Sequence, residues 1–146
     1  MLWLSVNIME EALSASSSLI TLAGFAFKAN KSLYQTVESF ESVKRTIREL
    51  RCDLESLTQV LHNLWEVADQ NEAELAALKL PLLRCGKICN RLEETINNCT
   101  THSDGETKSF RDQTKLQYRG GDITDLRATL AGYKATIGIA LDSATL

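Results

Sequence analysis

The sequence predicts an all-α fold, an antiparallel bundle of four to five helices, and three observations carry that prediction. The 146 residues include a single Pro and seven Gly, below average usage, so the chain lacks the breakers that the turns of a sandwich or barrel need. Three long stretches place apolar residues at alternating steps of three and four, the spacing of a helix buried along one narrow seam. With 44% hydrophobic residues, a chain of this size buries one core and reads as a single domain.

The first helix is expected to start at Asn7, which has capping-box spacing to Glu10, and to run through the uncharged stretch 12–27. At 100° per residue, its apolar and small residues from Ala12 to Ala29 cover about 240° of the circumference, where one buried face needs roughly 100°. Ser14, Ser17, Thr21 and Lys28 occupy the remainder. Such a helix is either central, wrapped by the others, or able to leave the bundle. In the second case Leu13, Leu19, Ile20, Leu22, Phe25 and Phe27 form its contact with a membrane or a partner helix. A carboxylate at Phe25, on the edge of the swath, then leaves the bundle folded and abolishes membrane association.

The second seam runs Phe40, Val43, Ile47, Leu50, Leu54, Leu57, Leu61, Leu64. Residues 36–42 hold no Gly or Pro, so the first two helices are joined by a short connection or form one bent helix. Cys52 lies off the seam. Lys44, Arg48 and Arg51 form a stripe at i, i+4 and i+7, a solvated face or a contact for anionic lipid or an acidic partner. Glu41 has ion-pair spacing to Arg45. The third seam reads Leu75, Leu78, Leu82, Cys85, Cys89, Leu92, Ile96, Cys99, with Asn71 and Glu74 spaced as a capping box. Pro81 falls inside it, which favours a short turn and then a new helix with Pro81 in its first turn. Residues 100–107 read as the main loop and 109–118 as helix, ended by Gly120 and Gly121. Asp122 is then the cap of a last helix with the seam Ile123, Leu126, Leu130, Tyr133, Ile137, Ala140, Ala144. The expected core is Leu50, Leu54, Leu57, Leu61, Leu82, Leu92, Ile96, Leu126, Leu130 and Ile137.

Little in the chain supports chemistry. Sixteen Lys and Arg against nineteen Asp and Glu give a net charge of −3, with no bulk positive field for phosphate backbones, so nucleic acid is not an expected partner. The glycines form no phosphate-binding loop, and His62 and His102 adjoin no nucleophile motif. Adjacent carboxylates such as Glu93 and Glu94 diverge by about 100° on a helix. No catalytic or cofactor-binding residue, cofactor or small-molecule substrate is therefore expected, and the protein reads as a non-enzyme. Cys85, Cys89, Cys99 and His102 have zinc-type donors, but ten residues separate Cys89 from Cys99, about 15 Å along one helix. They read as reduced core thiols without metal. The start lacks the basic residues of an export signal, and 12–27 is too short to span a bilayer, so a cytoplasmic location is expected. The sequons at Asn30 and Asn98 then arise by chance.

Three segments carry a resemblance: "MEEALSASSSLITLAGFAFKANKSLY", "LKLPLLRCGKIC" and "SFRDQTKLQYRGGDITDLRATLAGYKATIGIAL". From Met9 to Leu141 the chain resembles the N-terminal domains of fungal NLR-like STAND receptors, which include the HeLo-like domains and the domain named after the azaphilone pigment cluster protein L. The resemblance implies an all-helical bundle that self-associates and acts in programmed cell death or immunity, with relatives that act at membranes. It makes this chain a non-enzymatic signalling domain whose partners are its own copies, another helical protein or an anionic membrane. On activation such a domain moves from the cytoplasm to the plasma membrane. The competing reading is a soluble helical adaptor that binds a partner protein and never meets lipid. Three features depart from the pattern. Residues 1–8 extend beyond the usual start, so that 9–146 read as the helical-bundle domain and Met9 is a second candidate for the natural initiator; the nucleotide-binding module expected after such a domain is not part of this sequence, which reads as an isolated domain or a piece of a longer receptor; and neither end carries an amyloid-type signalling motif.

Overall fold

The computed structural model describes residues 17–39, 45–100 and 120–144. They form four α-helices and one short 3₁₀ turn, with no strand among the described residues. The helices are α1 (Leu19–Glu38), α2 (Arg45–Ala68), α3 (Lys79–Thr100) and α4 (Gly120–Ser143), and the 3₁₀ turn, Ala76–Leu78, leads into α3.

α1 begins at Leu19, later than the sequence suggests, because Ser18 is extended (φ −73°, ψ 155°) and acts as the N-cap. Its hydroxyl accepts from the Thr21 N–H at 3.2 Å. In a run of three serines, the one that caps is the one that lets Leu19 enter the core, a choice that local spacing does not encode. Asn7, Glu10 and Leu13 lie outside the described residues. α1 ends at Glu38, where the Ser39 hydroxyl donates to the Thr36 carbonyl at 2.6 Å, and residues 40–44, with Phe40, Glu41, Val43 and Lys44, lie outside the described residues.

The capping box expected at Asn71 and Glu74 does not form. Residues 69–75 are a turn, in which the Asn71 side chain donates back to the Val67 carbonyl at 2.9 Å and closes the end of α2. A polar side chain beside a helix end serves whichever helix reaches it first. Pro81 stands in the first turn of α3, after the short turn, where its missing N–H costs nothing. Gly120 and Gly121 open α4, so Asp122 lies within its first turn and is not its cap. The expected helix at 109–118 is outside the described residues.

Side-chain contacts fix the directions. Gly24 meets Trp65 and Asn30 meets Thr58, so α1 and α2 are antiparallel. Phe25 meets Gly86 and Ser32 meets Glu93, so α1 and α3 are parallel. α1 packs along both α2 and α3, while α4 packs along α2 and touches α3 at only a few residues. α1 and α2 are thus the inner pair and α3 and α4 the flanks. The core follows the seams: Leu50, Leu54, Leu57, Leu61, Leu82, Ile96, Leu130 and Ile137 are buried. Leu92 and Leu126 are partly buried at its margin, a correction to the expected list.

Asn30 is the one polar residue buried among the described core. Its amide donates to the Leu54 carbonyl at 2.9 Å and to the Thr58 hydroxyl, and its Oδ1 accepts from the Cys89 thiol at 3.6 Å. One side chain therefore joins α1, α2 and α3. An amide held this way is closed to glycosylation in the folded chain.

Candidate interaction face

The residues expected to make the first-helix contact divide into two groups. Leu19 and Leu22 are buried at 0% and 4% exposure, committed to the core with Ala23, Ala26 and Leu33. Ile20 is 37% exposed, and Phe25 and Phe27 are half-buried. α1 is thus the wrapped central helix, and what it offers outward is a strip along its seam with α2.

Gly24 makes that strip possible. A Cβ at Gly24 would stand 3.2 Å from the Trp65 ring, so the missing side chain lets the indole lie across α1. Phe27 lies tilted beside it, its ring 5.3 Å from Trp65 and 5.6 Å from His62. Lys28 holds its ammonium 5.7 Å above the Trp65 ring, and Lys31 lies 5.8 Å from the Phe27 ring, both within cation–π reach. Ile20, Thr21, Gly24, Phe25, Lys28 and Trp65 line an open groove of about 480 Å³. It is an apolar, aromatic surface edged by two cations. On α2, His62 is tied to Glu66 at 2.9 Å, an i, i+4 pair.

Phe25 also has a structural task. A Cβ at Gly86 of α3 would come within 2.3 Å of its ring, so ring and glycine interlock. A charge at Phe25 should therefore disturb an interhelical contact, as expected where this residue serves as core. Ile20, exposed in the same groove, is the position that separates surface from core.

Of the basic stripe, Lys44 is outside the described residues, Arg48 is exposed, and Arg51 is half-buried, its Nε without a hydrogen-bond partner among the described residues. Arg45 holds Glu49 at 2.7 Å; Glu41, expected to pair with it, lies outside the described residues. Arg48 lines a second groove of about 400 Å³ with Arg45, Glu49, Cys52, Asp53 and Arg127. There Arg127 of α4 bridges α2, its Nε 2.6 Å from Asp53 and its Nη1 2.6 Å from Glu49. The hydrogen bond from Arg45, together with the charge of Arg127, holds the Glu49 carboxyl below its ordinary value, and Asp53 raises that of Arg127.

Cys85 and Cys89 are free and buried, while Cys52 is free and exposed. The adjacent Cys85 thiol and burial both push Cys89 upward, away from the thiolate. No group of three or more His, Cys, Asp or Glu suited to a metal occurs among the described residues. His102 and the Cys99 side chain lie outside them. No described helix is long and apolar enough to cross a membrane.

Residues 10–146 match the family described as pigment biosynthesis cluster protein PigL N-terminal. The chain belongs to this family. No curated protein and no solved structure matches it. In this PigL N-terminal domain, sequence reasoning found Ile20, Phe25 and Phe27 and missed Trp65, Gly24, Lys31 and Arg127. A glycine in mid-helix was a weak signal for Gly24, since its low helix propensity admits a close neighbour without requiring one, as Gly132 and Gly138 show. Arg127 had none, because its partners are 74 and 78 residues away.

Proposed function

We propose that this PigL N-terminal domain is a non-enzymatic signalling module that self-associates and works through the α1–α2 groove, with a membrane surface as its target. The observation that supports the reading is the composition of the groove and its flank: Ile20, Lys28 and Trp65 in the lining, with Phe27 tilted against Trp65 and Lys31 near the Phe27 ring beside it. Aromatic rings and lysines on one apolar strip suit the boundary between headgroups and acyl chains, where ring and ammonium are both satisfied. α1 acts here while docked, because Leu19 and Leu22 are committed to the core. On this reading the protein is cytoplasmic at rest and moves to the plasma membrane on activation, in cell death or immunity.

The second reading, a soluble adaptor, draws on the groove's shape, a cleft between two helices that fits an apolar side chain of a partner helix. Co-sedimentation with vesicles containing anionic lipid tests the choice. The wild type is expected to sediment with them, and Ile20→Asp to stay in solution with an unchanged melt. Wild-type protein that ignores every vesicle composition would move the adaptor to the front.

A further inference from the structure

α4 combines two properties that conflict. Between Leu126 and Leu141 its charged residues are Arg127 and Lys134 alone, so most of its circumference is apolar or small, the character of a helix enclosed on all sides. Yet Ile123, Leu130 and Ile137 are its buried hydrophobic residues, and Ile139 is 65% exposed. α1, by contrast, buries seven hydrophobic residues. Gly132 and Gly138 have nothing within 4 Å of where a Cβ would stand, so no packing in this bundle requires them, and each weakens the helix relative to alanine.

A helix seated by one buried row, with Leu126, Tyr133, Ala140 and Leu141 only partly buried beside it, gains a further fastening from Arg127. Glu49 and Asp53 are one turn apart on α2, so one guanidinium grips both carboxylates at 2.6 Å. The three side chains are 28%, 36% and 35% exposed, which leaves the contact open to salt.

We propose that α4 is a releasable arm of the bundle, latched by Arg127 across Glu49 and Asp53, and that it opens as a unit while α1, α2 and α3 stay folded. Cooperative units with little buried apolar area open below the global unfolding free energy, and among the described residues α4 buries the fewest hydrophobic side chains of the four helices. Its departure bares the flank of α2 that seats Leu130 and turns an apolar helix toward solvent. The inference is independent of the α1–α2 groove.

Hydrogen–deuterium exchange on the whole chain, read peptide by peptide, tests it. Peptides from 123–141 should exchange about tenfold faster than those from α1. Arg127→Gln should accelerate α4 by about another tenfold, the loss of a charged hydrogen-bonded pair, and leave α1 unchanged. In the unaltered chain, raising salt from about 0.05 M to about 0.5 M should act in the same direction, which decides the matter if the variant does not fold. Protection in α4 equal to that in α1, or acceleration spread evenly over all four helices, overturns the proposal.

Discussion

Gly86 and Gly132 both sit inside helices, and the same substitution should have opposite effects at the two. At Gly86 an added methyl meets the Phe25 ring within 2.3 Å, so Gly86→Ala should destabilise by about 1–3 kcal/mol despite its better helix propensity. The loss should shrink in the double variant with Phe25→Leu. At Gly132 the methyl meets nothing within 4 Å, and Gly132→Ala should stabilise by about 0.5–1 kcal/mol. Urea titration measures both. The thiols provide a second contrast: Cys52 should react readily with a thiol reagent, while Cys85 and Cys89 should wait for unfolding. The cysteines on the α3 seam were legible as small hydrophobes because they kept its spacing. Asn30 was not, since an amide in an apolar swath gives no local sign of the carbonyl, hydroxyl and thiol that await it on two other helices.

The helices themselves were legible wherever one narrow seam was enough to bury them. In α2 the alternating steps from Ile47 to Leu64 name the buried face almost residue for residue, so Leu57→Ala should cost about 2–5 kcal/mol in a denaturant melt. Boundaries were harder, because a cap depends on which neighbour is present. Glu72, for example, reaches back across the turn to accept from the Leu19 N–H at 3.0 Å, and its Oε1 also lies 3.6 Å from Lys79. That carboxylate caps a helix that begins 53 residues earlier in the chain. Reading outward from Asn71 and Glu74 could not find it.

Across the whole molecule, the fold class could be read from composition and period, but the order of helices could not. A seam states that a helix is buried on one side without naming what lies there, so it did not show that α1 and α2 form the inner pair. The candidate face was half visible for the same reason: its α1 residues share one periodic swath, and Trp65 comes from another helix. The charge bridge between α2 and α4 adds a pH dependence. Glu49 faces Arg45 on its own helix and Arg127 on α4, with Asp53 one turn on, and its folded-state pKa lies below the ordinary 4.5. A carboxyl depressed by folding stabilises the bundle above its unfolded value, and that contribution disappears as pH falls through the lowered one. The α4 arm should therefore loosen under acid conditions, below 4.5, before α1 does. Amide exchange followed through an acid titration checks this, and equal loosening of both helices counts against it.

The close approach of Trp65 to Gly24 also makes the protein its own optical probe. The chain has two tryptophans, Trp3 and Trp65, so Trp3→Phe leaves one indole, lying across the α1 backbone beneath an ammonium group. Its emission reads the polarity of the α1–α2 groove directly. A target that covers the groove should shift that emission to shorter wavelength at concentrations that track binding. Association through any other surface should leave the spectrum where it was.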